Sequence, residues 1–173
     1  MKLFFTLILL LSFTINALGQ QALKDSADKK DEAAVAELGA AASLSLNGGK
    51  ASYGFNAAVE VTPIENWLEL ELGVSPTFGT HLKELDADLL FKKPWTLSQK
   101  VEFMFGLGVA WNHTSDYGVI TNTAGGEVAL DFMFWPSAAH RFGWYLEPAY
   151  EYDFGRGHEQ SVGMSGGLLI AIP

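Results

Sequence analysis

From about residue 37 to the C-terminus, apolar and polar residues alternate with a period of two. That period sends successive side chains to opposite faces of an extended strand. The first such segment is expected at Glu37–Leu46, with Leu38, Ala40, Ala42 and Leu44 on one face. The next is Ala51–Thr62, whose apolar face carries Tyr53, Phe55, Ala57, Val59 and Val61. Six more follow at Trp67–Phe78, Lys83–Phe91, Lys100–Asn112, Ala124–Trp135, Phe142–Phe154 and Gln160–Ile172. Turn signals separate them: Asn47-Gly48-Gly49, Pro63–Asn66, Lys92–Ser98, Pro136–Arg141 and Gly155–Glu159, with His113–Thr123 as the longest connection. Pro148 falls inside the seventh segment, where a missing N–H predicts a local bulge. Eight strands joined as consecutive antiparallel hairpins, each with one apolar face, predict an all-β fold: an eight-stranded antiparallel up-and-down β-barrel.

Side-chain size decides which face is outside. The apolar face carries Phe, Trp, Tyr and Leu, and the other carries mostly Gly, Ala, Ser, Asp and Glu. An eight-stranded interior is just wide enough to be filled by its own side chains. The bulky set does not fit there and the small set does, so the apolar face points outward and the barrel is a transmembrane one. Trp67, Trp95, Trp135 and Trp144 cluster in or beside the connections at one end, with Trp111, Phe78, Tyr53 and Phe154 at the other. Such aromatic belts favour the two interfaces of a bilayer. A soluble periplasmic barrel binding a small apolar ligand is the alternative that the same alternation allows.

Residues 1–19 read as a secretory signal peptide. Lys2 precedes the apolar run Leu3–Ile15, and Ala17-Leu18-Gly19 supplies small residues at the cleavage site. The run is too short for a membrane-spanning helix, which needs about 20 residues. Residues 20–36 form a polar N-terminal segment containing Lys24, Lys29 and Lys30, and the barrel occupies 37–173. The 173-residue chain carries 11 Lys+Arg against 20 Asp+Glu, a formal charge of −9. That balance argues against a nucleic-acid partner. With no Cys, disulfides, thiolate metal sites and Cys nucleophiles are excluded.

Taken together, the signal peptide, eight hairpin-linked strands, outward apolar band and aromatic belts resemble the small outer-membrane β-barrel families of Gram-negative bacteria. The resemblance implies an outer-membrane location, the lipid bilayer and the barrel-assembly machinery as partners, and no enzymatic activity or cofactor. It also implies that both termini face the periplasm and that the loops after the odd-numbered strands face outside. Those families end on an aromatic residue, where this chain ends Leu168-Leu169-Ile170-Ala171-Ile172-Pro173.

Candidate chemistry lies in the lumen. The inward positions carry Glu37, Glu60, Glu69, Glu71, Glu84, Asp86, Asp88, Glu102, Glu127, Asp131, Glu147, Glu151 and Asp153. Six of them (Glu37, Glu60, Glu69, Glu71, Glu102, Asp131) are expected to form a carboxylate ring near the periplasmic end. Lys100, Arg141 and Lys92 are the candidate inward bases. So many confined carboxylates must hold cations, sit in water or meet a basic partner. The interior is thus either a narrow cation-preferring pore or a hydrated network within a structural, surface-exposed barrel; the lysines at 24, 29 and 30 are candidates to fold back into an acidic mouth. No resident metal site is expected, although His81, His113 and His158 all fall in predicted loops. His113-Thr114-Ser115 with Glu127 resembles the His-x-Ser and later Glu of outer-membrane lipid A deacylases, which leaves a lipid A-modifying hydrolase as a further alternative. In those enzymes Asn follows the Ser, and here Asp116 does.

Overall fold

The computed structural model describes residues 34–137 and 140–172. The expected signal peptide and most of the polar segment, with Lys24, Lys29 and Lys30, lie outside the described residues. Eight strands follow one another: β1 (Ala34–Ser45), β2 (Ala51–Ile64), β3 (Leu68–Phe78), β4 (Leu82–Ser98), β5 (Val101–Asp116), β6 (Val119–Phe134), β7 (Phe142–Asp153) and β8 (Gln160–Ile172). Each pairs antiparallel with the next, and β1 pairs with β8 from Ala34↔Ile172 to Ser45↔Ser161, closing the barrel. The expected eight-stranded antiparallel up-and-down barrel is therefore the observed fold.

The wall is turned inside out relative to a water-soluble protein. Along β2, exposed and inward residues alternate almost without interruption. Phe55 is 69% exposed and Leu72 65%, whereas Glu60 and Glu71 are each 2% exposed. Large apolar side chains scattered singly over a surface are ordinary, but a continuous wall of them with polar residues behind it is a membrane pattern. From Phe103 to Trp111 the strand rises about 26 Å at about 3.3 Å per residue. A tilt of about 40° reduces this to about 20 Å, close to the height of a barrel's lipid-facing band.

Several segments differ from the sequence expectation. The first strand begins at Ala34 rather than Glu37, so the last residues of the polar segment belong to the wall. Lys92–Ser98 is not a turn: β4 runs through it, pairs Lys92 with Gly106 and Trp95 with Phe103, and turns at Gln99-Lys100. Nor is His113–Thr123 a long loop. Its ladder continues to Asp116↔Val119 and closes through Tyr117 and Gly118, both at positive φ. Turn chemistry permits this, since glycine takes a left-handed backbone without penalty. Pro148 causes no bulge; the β6–β7 pairing skips from Ala129↔Ala149 to Phe132↔Leu146 in unchanged register. Register shifts occur instead between Val61 and Ile64 and between Thr96 and Ser98.

Candidate functional site: the barrel lumen

Strand alternation aims three successive layers of side chains inward. At the end carrying the termini, Met104, Met133, Trp135, Tyr145 and Leu169 form a buried apolar layer against which Val35 packs. Trp135 stacks on His140 with ring centroids 4.8 Å apart, and its Nε1 donates to Glu102 Oε2 at 3.2 Å. This corrects the expectation for Trp135, which is 1% exposed and belongs to the interior rather than to the outer belt. It stands one residue beyond the lipid-facing Phe134, so the pleat turns it inward. Trp67, Trp95, Trp111 and Trp144 are exposed, as a belt requires. At the termini end Trp95 stacks on Phe103, Phe103 meets Phe132 at a tilt, and Trp144 meets Phe134 edge-on.

The second layer centres on Lys92, which is fully buried. Its Nζ donates to Glu147 at 2.6 Å, to Asp131 at 3.1 Å and to Glu71, with Glu60 Oε2 at 4.0 Å. Glu37 stands beside them, grouped with Glu60, Glu71 and Asp131. Of the six carboxylates expected in a ring, the structure brings four to one place. Glu37, Glu60, Glu71 and Asp131 come together, whereas Glu69 and Glu102 are half-buried, Glu102 accepting from Trp135. Glu147 joins the cluster in their place. Lys100 and Arg141 are exposed at the termini-end turns and do not enter the lumen, which corrects their assignment as inward bases. Removing the ammonium from such a buried ion network leaves the carboxylates uncompensated and costs about 3–5 kcal/mol.

The third layer is polar and leaves open space. A cavity of about 80 Å³ lies between Asn56, Asp86, Asp88, Glu127, Glu147 and Glu151. That volume admits a small number of waters, each needing polar partners of the kind present here. Asn112 donates to Glu151, and Ser52 Oγ donates to Glu84 Oε2 at 2.8 Å with Thr77 beside both. Across the lumen, Tyr145 Oη donates to Asn56 Oδ1 at 2.7 Å. A Cβ built on Gly73 would lie 2.5 Å from Asp88 Oδ1, so the bare glycine makes room for that carboxylate. Gly39 likewise receives the Tyr145 hydroxyl, 2.8 Å from where its Cβ would stand.

The hydrolase constellation is not assembled. His113 lies on the outer face of β5, stacked on Trp111 and hydrogen-bonded through Nδ1 to Asn122 Oδ1 at 2.8 Å, while Glu127 lines the cavity on the other side of the wall. The three loop histidines also go separate ways. His81 stacks on Tyr117, His113 holds Asn122, and His158 Nδ1 meets the Tyr152 hydroxyl at 3.0 Å.

Known structures share this architecture. Neisserial surface protein A is similar over 80% of this chain and 96% of its own, with a TM-score of 0.64 and 12% identity. The N-terminal β-barrel domain of Pseudomonas aeruginosa OprF matches over 82% and 100%, with a TM-score of 0.59 and 12% identity. Ail, the attachment invasion locus protein of Yersinia pestis, matches over 82% and 100%, with a TM-score of 0.56 and 13% identity. No protein-family model and no curated protein sequence matches the chain. The fold is that of the eight-stranded outer-membrane β-barrels.

Proposed function

We propose that the protein is a bacterial outer-membrane barrel with a structural or surface-exposed role, exported by a signal peptide at 1–19 and inserted by the barrel-assembly machinery. The inverted burial carries this reading: bulky apolar residues face out while Lys92 and its carboxylates are sealed inside. In a bilayer every backbone polar group must be satisfied within the wall, and a closed barrel does so. The likeness to barrels described as a surface protein and an attachment protein supports a surface role, with the β5–β6 hairpin continuing beyond Trp111 as its most extended outer element.

Within this reading the barrel does not conduct. The Trp135 layer and the Lys92 cluster stand one above the other across the lumen and leave the cavity a floor. The test has two arms. Cell fractionation with a heat-modifiable gel shift is expected to find the chain in the outer membrane as a folded barrel. Planar-bilayer recording on the refolded full chain is expected to give no discrete conductance steps. Soluble behaviour without a gel shift overturns the membrane reading. Cation-selective steps replace the closed barrel with a pore, the second reading, which the acid-lined cavity favours.

A further inference from the structure

The carboxylates at the centre of the barrel outnumber the ammonium that serves them. Glu37, Glu60, Glu71 and Asp131 each present one oxygen to a common space, and these oxygens all lie within 4.8 Å of one another. Lys92 serves this group through Glu71 and through Asp131 at 3.1 Å, with Glu60 4.0 Å away, and spends a further hydrogen bond on Glu147 at 2.6 Å. Three oxygens of the group are left over. Glu37 Oε1, Glu60 Oε2 and Asp131 Oδ1 are buried with no hydrogen-bond partner, in residues 1%, 2% and 0% exposed. A carboxylate taken out of water without a partner is among the most costly groups a protein can bury.

We propose that this space binds one divalent cation of the calcium class, held by Glu37, Glu60 and Asp131 and sharing Glu71 with Lys92. The donor set is all oxygen and all carboxylate, which selects a hard cation. Calcium–oxygen distances of about 2.3–2.6 Å place opposing ligands about 5 Å apart, matching the span of the group. Magnesium retains several waters in a strict octahedron, and a layer this buried has little space for them. The ion reaches the site from one end. Glu147 both lines the polar cavity and accepts from Lys92, so the cavity leads down to the cluster, while the Trp135 layer closes the other end. Once seated, the ion ties β1, β2 and β3 to β6 across the lumen. The proposal concerns the interior alone and does not depend on the cellular location of the barrel.

The test uses the full chain refolded in detergent micelles and stripped with chelator. Terbium is titrated in while its luminescence, sensitised by the neighbouring Trp135 and Tyr145, is followed, and calcium is then added as competitor. One saturable equivalent displaced by calcium is expected, together with a calcium-dependent rise in the unfolding midpoint. Glu37→Gln, which removes one excess charge, is expected to weaken binding at least tenfold while keeping the folded gel shift. Glu159→Gln, in the exposed β7–β8 turn, is expected to leave it unchanged. Absence of a saturable site in the folded wild type overturns the proposal and points to bound protons instead. Equal affinity in Glu37→Gln and wild type also overturns it, with Glu60→Gln deciding in the same way if Glu37→Gln does not fold.

Discussion

Lys92 and Glu147 meet at 2.6 Å in the middle of the barrel although 55 positions separate them in the chain. The contact joins β4 to β7 through the lumen rather than along the sheet, so it reports closure of the barrel and not the formation of any one hairpin.

Replacing Lys92 by Met is therefore expected to be among the most damaging single changes. It leaves Glu60, Glu71, Asp131 and Glu147 facing one another without their ammonium. A loss of about 3–5 kcal/mol is expected in urea unfolding of the micelle-bound protein. Adding Glu147→Gln is expected to restore part of it. Equal stability of Lys92→Met and wild type would show that the cluster is hydrated enough to need no counter-charge.

Trp135 and Trp144 are expected to respond oppositely to lipid. In vesicles containing brominated acyl chains, a single-tryptophan variant retaining Trp144 is quenched, whereas one retaining Trp135 is not. The pleat puts Trp144 on the outer wall at 60% exposure and Trp135 inside. Trp135→Ala, which empties much of the apolar layer, is expected to cost about 3–5 kcal/mol.

At Gly73, substitution by alanine forces a methyl group to within 2.5 Å of Asp88 Oδ1. Overpacking of this kind costs about 1–3 kcal/mol. A double-mutant cycle with Asp88→Ala is expected to recover most of the loss, because the obstructing carboxylate is then gone. Additive losses would place the strain in the backbone instead.

Outside the lipid-facing band, Lys50 reaches from the β1–β2 turn to Asp116 Oδ2 at 2.5 Å. That hydrogen bond raises the Lys50 ammonium above its ordinary value of 10.5. A base whose folded value is raised contributes its stabilisation below the unfolded value and loses it as pH climbs through the folded one. The tie between turn and hairpin is thus present at neutral pH and released above about pH 10.5. Amide exchange at the tip around Tyr117 is expected to quicken there, and Lys50→Gln is expected to produce the same change at pH 7. Exchange that stays level through both changes would assign the pair no restraining role.

Much of this architecture was legible because a strand's two faces are written in alternate letters. Ser52, Asn56 and Glu60 against Tyr53, Phe55 and Val59 suffice to orient β2. Trp135 escaped because Phe132, Met133, Phe134 and Trp135 are apolar on both parities, so hydrophobicity stops indicating direction and counting from Phe134 is needed. Two turns were misplaced for a related reason. Lys92-Lys93-Pro94 and the polar run from His113 look like loops by composition, yet a strand can carry polar residues where it faces the lumen or rises beyond lipid. Lys92's partnerships span 21, 39 and 55 positions and leave no local trace. They arise from closure, which pattern predicts, and from stagger, which it does not.

The ladder between β1 and β8 differs from the seven others in having no turn to hold its strands together. Every other neighbouring pair can zip from its own hairpin, but Ala34 and Ile172 must find each other from the two ends of the wall. Loop-closure entropy makes this pairing the slow one. Its middle is built mostly from small residues, Gly39 against Gly167, Ala40 against Gly166, Ala41 against Ser165 and Ser43 against Gly163. The barrel accordingly has a seam, the last edge to close during insertion and the first to part under force, and a crosslink from Ala40 to Gly166 would make the cylinder permanent.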